Sequence, residues 1–277
     1  MWLRMGKVGD AIGRHMLKKV AGKSEGVVRR SDSYKIDKKG RRIWELKGFQ
    51  KMFAMMSRAA AGKNVPLVID SQEIDVTELD TYRKKLKEEG HSISYNTLLI
   101  KALALAVEEY PILSSVWLNK YKLWLPSPGH INVAGPVQAG DIAYMYYVED
   151  VSVKPLKKIN EEIKDQVDRI FNKESSPYDC LSHIMDKKPL LTATNPGTAG
   201  KVLFGSINYF LPPYVGGVVI NTIQDRPGVV NGKVMPRKIV VLMVLFDHCA
   251  CEANTPIEFL GKVQELVNNP ERMGPIE

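Results

Sequence analysis

Leu242–Leu260 reads LMVLFDHCACEANTPIEFL. Ile239–Phe246 is an apolar run with the length and content of a buried strand. The run stops at Asp247-His248, a polar pair on which a buried strand does not normally end. Thr255, Pro256 and Glu258 follow, ahead of an apolar helical pattern. Thr-x-x-Glu with proline just inside marks a helix start, because the hydroxyl caps amide groups and proline lacks the amide that would go unpaired. The stretch is therefore predicted to deliver a histidine from a buried strand into the turn before a helix. An imidazole ordinarily titrates near neutral pH and suits general-base work when held beside a pocket. A lone histidine more often makes a structural hydrogen bond, so the neighbouring segments decide its role.

Moving back along the chain, Val215–Ile223 is a second β-rich run. Asp225–Val234, with Pro227-Gly228 and Asn231-Gly232, reads as the hairpin connection between the two. Leu190–Thr194 is a strand ending in Asn195-Pro196-Gly197. A helix with Pro155 in its first turn runs to about Asn172, with Ile159, Ile163, Val167 and Ile170 on one face. Tyr121–Leu125, His130–Val137 and Ala143–Val148 read as strands. Tyr95–Tyr110 is apolar nearly all round, which predicts a buried central helix that Pro111 stops. Val65–Val76 is a strand, and Thr77 is expected to cap a helix, Thr77–Glu89, that turns on Gly90. Strands and helices mix without strict alternation, which predicts a mixed-sheet α+β sandwich with helices over one face.

The front of the chain differs from the body. Residues 1–51 hold fifteen Lys/Arg and five Asp/Glu, a net charge of +10, and the other 226 residues hold 24 and 26, a net charge of −2. The expected organisation is a basic N-terminal helix and arm over 1–45 and one catalytic domain over 46–277. Trp2, Met5, Ile12, Met16 and Val20 form an amphipathic stripe. Gly22–Gly40 reads as linker, Arg41–Leu46 as a short strand and Phe49–Ala61 as a Met-rich helix. The arm is expected to lie over a neighbouring subunit, since no aromatic–basic interleaving points to nucleic acid. No run approaches the roughly 20 apolar residues of a membrane helix. Met1–Val20 lacks the shape of a secretory signal, with charged residues through its apolar positions. Three cysteines, Cys180, Cys249 and Cys251, fit a reducing compartment, and a cytoplasmic location is expected. Cys249-x-Cys251 is spaced too tightly for an ordinary zinc site, so no metal is expected and the pair reads as small buried packing residues.

Three segments in order resemble the catalytic domain of the dihydrolipoamide acyltransferases, the core subunits of 2-oxoacid dehydrogenase complexes, and their relative chloramphenicol acetyltransferase. Pro66–Ser115 is similar to the family's strand, helix and buried helix with its "YP" stop. LTATNPG, Leu191–Gly197, is similar to "FTISNLG". LFDHCACEANTPIEFL, Leu245–Leu260, is similar to "SFDHRVIDGAxAARFL". The resemblance covers roughly Leu46 to Pro270. It implies a chloramphenicol-acetyltransferase-like fold that forms trimers, or larger cages of trimers. It implies acyl transfer between coenzyme A and a thiol, here of dihydrolipoyl type, or another small acceptor. His248 would be the general base, Thr194 the donor to the oxyanion, Glu252 the acidic residue of the histidine motif, and Asn195 a substrate contact. Thr194 and His248 would meet across a subunit boundary. The lipoyl group would arrive from a separate lipoyl-carrying or dehydrogenase subunit, since residues 1–45 stand where the family carries its lipoyl and subunit-binding domains.

The chain departs from the family pattern at four places. His-x-x-x-Asp-Gly has become His248-Cys249-Ala250-Cys251-Glu252-Ala253. Glu252 is one methylene longer than aspartate, and Ala253 would be strained if the glycine it replaces needs a positive φ. Cys249 replaces an arginine, which removes a charge partner from Asp247. Gln50 replaces the arginine of "GMRKAIA". These departures favour a second reading, a structural core that keeps the assembly and has lost the chemistry. His248 and Thr194 together oppose it.

Overall fold

The computed structural model describes residues 34–46, 51, 66–139, 142–175, 188–198, 200–205 and 213–277. The expected helix over 2–20 and, apart from residue 51, the one over 49–61, together with Gln50 and Cys180, lie outside the described residues. Two sheets carry the fold. The smaller has β1 (Lys35–Ile36), β2 (Arg42–Glu45), β4 (Val116–Asn119) and β5 (Lys122–Leu125) in the order β1-β2-β5-β4. Lys35–Ile36 was expected to be linker, and the segment 35–45 to belong to the arm. Both strands are instead hydrogen-bonded into this sheet, through Trp44 opposite Leu123 among others.

The larger sheet has seven strands: β3 (Leu67–Asp75), β6 (Val133–Ala139), β7 (Ile142–Val148), β8 (Leu191–Thr194), β9 (Gly216–Ile220), β10 (Gln224–Val230) and β11 (Lys233–Asp247). β8 pairs in parallel with β6 and β9, and the other ladders are antiparallel, so the sheet is mixed. β11 is its axis. It pairs with β3 from Ile239 to Asp247 on one side and with β9 from Leu242 to Phe246 on the other. The stretch expected to be a hairpin connection, Asp225–Val234, is mostly strand. β10 and β11 turn directly at Asn231 (φ 51°) and Gly232 (φ 74°), the two consecutive positive-φ residues of a tight two-residue hairpin turn.

Four helices accompany the sheets among the described residues: α1 (Thr77–Glu88), α2 (Tyr95–Glu109), α3 (Leu156–Phe171) and α4 (Asn254–Asn268). Ser94 caps α2 by accepting the Thr97 amide. Thr77 does not cap α1 as expected. Its hydroxyl donates to Asp75 and accepts the Lys238 amide, so it ties β3 to β11 instead. Burial works against ionisation of Asp75, but hydrogen bonds from Arg237 and Thr77 outweigh it and hold the carboxyl below the usual range. Thr255 is not the cap of α4 either. Ala253 is already helical at φ −58° and ψ −27°, so Thr255 falls in the first turn and is buried. The same angles show that Ala253 is unstrained.

α2 is the central helix, with residues from Thr97 to Ala104 buried, Lys101 among them. The Lys101 ammonium donates to the carbonyls of Val151, Ser152 and Lys154 at 3.0, 2.8 and 2.8 Å. Those three bonds pin the loop that leads into α3. The last residues pack back onto the same helix start, where the Leu156 and Lys157 amides donate to Pro275 and Ile276, and Met273 is fully buried.

Burial pushes the Lys101 pKa down to about 8, below the ~10.4 of an unfolded lysine. Between those values the unfolded chain binds a proton that the folded chain does not, so wild-type stability should rise with pH through that window. Lys101→Met should lose that dependence. It should also cost about 2–4 kcal/mol at neutral pH by leaving three buried carbonyls without their donor. Denaturant unfolding of both proteins from pH 7 to 10 measures both effects.

Candidate active site

His248 follows the last residue of β11. Its amide donates to the Pro66 carbonyl at 2.9 Å, which anchors it to the start of β3. Its ring lies edge-on to Phe246. Nδ1 stands 3.1 Å from the Cys251 carbonyl. A carbonyl oxygen only accepts, so Nδ1 carries the proton and the lone pair is on Nε2. The turn after the strand thus selects the tautomer that a general base requires.

The turn itself is tightly bonded. Asp247 is buried, and its two carboxylate oxygens accept the Cys249 amide at 2.8 Å and the Trp117 indole N–H at 2.9 Å. Its carbonyl accepts the Ala250 amide at 2.9 Å. Cys249 and Cys251 are buried at 2% and 3% exposure within the main core cluster, in the packing role expected of them. The charge partner that Asp247 was expected to lack is supplied as a neutral donor, Trp117, from the smaller sheet. Glu252 is exposed, and its carbonyl accepts the Thr255 amide at the start of α4.

Asp70 is a further group that the sequence did not single out. It lies opposite Val244, on the face of the β3–β11 ladder that Phe246 shares. Its Oδ2 is buried with no hydrogen-bond partner among the described residues. Burial raises its pKa above the usual carboxylate range, and a positive charge on a protonated His248 would act in the opposite direction.

Thr194 closes β8. It is aligned with Val219 on β9, which is aligned in turn with Met243 on β11. His248 is five residues beyond Met243. At about 3.4 Å per residue and about 4.8 Å between strands, Thr194 and His248 of one chain are roughly 20 Å apart. One chain therefore holds the two ends of the expected site and does not bring them together. Asn195, expected as a substrate contact, is hydrogen-bonded within the chain: its Nδ2 donates to Asn96 Oδ1 at 3.2 Å, and its carbonyl accepts the Thr198 amide and hydroxyl. Asn96 continues to the buried Tyr146 hydroxyl at 3.5 Å. Asn96 and Tyr146 carry no sequence signal for this role, since one opens a helix and the other reads as a core strand residue.

The family model of the 2-oxoacid dehydrogenase acyltransferase catalytic domain matches residues 39–274. The chain belongs to this acyltransferase family. It is 24% identical over 212 residues to the lipoamide acyltransferase component of the branched-chain alpha-keto acid dehydrogenase complex of Bacillus subtilis, a match covering 74% of this chain and 47% of that protein. The chain spans about half the length of the curated relatives it matches. A probable dihydrolipoamide acetyltransferase from Listeria monocytogenes superposes with a TM-score of 0.63 at 24% identity, over 86% of this chain and 96% of that one. A chloramphenicol acetyltransferase superposes with a TM-score of 0.59 at 14% identity, over 85% and 100%. The fold of this acyltransferase-family chain is the chloramphenicol-acetyltransferase-like one that its motifs implied.

If Asn195 supports the strand end rather than binding substrate, Asn195→Ala and Asn96→Ala should each lower stability by about 1 kcal/mol, and the double variant by little more than either alone. Thermal unfolding of the three variants measures the coupling. A rise in KM confined to Asn195→Ala would make that side chain a substrate ligand.

Proposed function

We propose that this chain is a coenzyme A-dependent acyltransferase that moves an acyl group between coenzyme A and a dihydrolipoyl-type thiol presented by another protein. The observation that carries the reading is the ring of His248, oriented by the Cys251 carbonyl so that Nε2 holds the lone pair at the end of the central strand. In the proposed reaction, Nε2 takes the proton of the acceptor thiol. The thiolate attacks the carbonyl carbon of the acyl thioester, and the carbonyl electron pair moves to oxygen. The Thr194 hydroxyl of a neighbouring chain donates to that oxyanion, a contact stronger in the transition state than in the ground state. Collapse of the tetrahedral intermediate breaks the bond to the coenzyme A sulfur, and the departing thiolate takes the proton back from the imidazolium. A thiol of pKa about 8.5 needs only modest help from an imidazole, so the base is matched to its task. Glu252, exposed four residues after His248, is proposed as the acidic residue at the mouth of the site.

The distance of roughly 20 Å between Thr194 and His248 supports a site completed between subunits. A trimer is the proposed unit. The two apolar residues near the end of the chain, Met273 and Ile276, pack against their own chain's core, which favours a trimer over a cage joined through them.

His248→Ala should abolish transfer from acyl-coenzyme A to free dihydrolipoamide while leaving the fold intact. Thr194→Val should lower kcat roughly ten- to a thousandfold with KM nearly unchanged. Co-assembled His248→Ala and Thr194→Val chains should recover about a quarter of wild-type activity, because one boundary in four then pairs two intact residues. Wild-type turnover in either single variant refutes the assigned roles. No recovery in the mixture refutes the shared site, and no turnover by the wild type with any acyl thioester refutes the enzyme reading.

A further inference from the structure

Asp247 and its partner on the smaller sheet form a device that the proposed mechanism does not use. The buried carboxylate has two donors of different origin. The Cys249 amide belongs to the histidine's own turn. The Trp117 indole belongs to β4, 130 residues away in sequence. Trp117 is itself fixed, because its amide donates to the Pro213 carbonyl at 2.8 Å and it lies opposite Leu123 on β5. The path from the smaller sheet to the imidazole is therefore continuous. It runs from the β4 backbone to the indole N–H, to Asp247, and through the Cys249 amide into the turn whose Cys251 carbonyl selects the His248 tautomer.

A neutral donor suits this place. Cys249, the residue after the histidine, is buried at 2% exposure, and a cation there would have to be desolvated. An indole N–H satisfies one carboxylate oxygen without bringing in a second charge. Losing it would leave a buried carboxylate oxygen unpaired, and the least costly relief is for Asp247 to turn outward and carry the turn with it.

We infer that Trp117 is a positioning residue for His248, acting through Asp247 and taking the part of a charge partner that the sequence next to the histidine does not supply. The activity part of this inference rests on the acyltransferase reading; the structural part does not.

Trp117→Phe keeps the ring packing and removes only the N–H, and Asp247→Asn alters the other partner. Both variants and the double variant are studied as full-length protein by hydrogen–deuterium exchange with mass spectrometry and by acyl transfer. The exchange rate of amides 249–251 should rise at least tenfold in Trp117→Phe, while β3 and β9 keep their protection. Asp247→Asn should do the same, and the double variant should be no worse than the worse single one. In activity, kcat should fall about tenfold with KM for acyl-coenzyme A within twofold. Unchanged exchange at 249–251 in Trp117→Phe overturns the inference, as do losses that multiply independently in the double variant. If the wild type transfers no acyl group but the exchange result appears as described, the positioning role stands and the acyltransferase reading falls.

Discussion

Strand β11 is hydrogen-bonded along both edges, and that pairing decides where the functional chemistry is placed. A strand between two others cannot slip, because a one-residue shift would move every side chain to the opposite face. Here the register with β3 and with β9 is locked over Leu242–Phe246, and both faces of that segment are largely buried. The histidine leaves the sheet at the end of this locked segment. Its position inherits the rigidity of the core, while its ring is set by the turn that follows.

Buried and half-buried polar groups show how the structure manages charge. Lys101 is answered by three carbonyls, Asp75 by Arg237 and Thr77, and Asp247 by an indole and an amide. Each case follows the rule that a buried polar atom without a partner costs more than a hydrogen bond returns. Among the described residues Asp70 Oδ2 departs from the rule, and it lies on the sheet face from which His248 emerges. Thr194 on β8, the proposed donor to the oxyanion, is positioned by the same sheet but about 20 Å away. One sheet thus carries the two proposed residues at separate places, which is why the proposed site calls for a second copy of the chain.

Much of this was legible in the residues. The apolar run before Asp247, the all-round apolar helix at Tyr95–Glu109 and the 3–4 spacing of Leu156–Phe171 each announced an element and its burial, because periodicity and the solvent preference of side chains are local properties. The helix caps were less reliable. Thr77 and Thr255 both stand at helix starts with the right chemistry, yet neither caps. A hydroxyl takes whichever partner the tertiary structure brings closest, and for Thr77 that was β11. Asp225–Val230 looked like a connection because of Pro227 and Gly228. Pairing with β11 made it strand, with Pro227 opposite Pro236.

By itself the sequence determined the order of elements, the buried strand that ends on a histidine, and the candidate pair His248 and Thr194. The first two follow from hydrophobic pattern and residue type, which need no knowledge of distant neighbours, and the pair follows from the resemblance of LTATNPG and LFDHCACEANTPIEFL to the family's motifs. Only the tertiary structure decided that a tryptophan 130 residues away holds Asp247, that the Cys251 carbonyl sets the imidazole tautomer, and that Thr194 of the same chain is out of reach. The physical reason is that hydrogen-bond partners and strand registers are set by which segments pack together, and no local pattern in the chain records that choice.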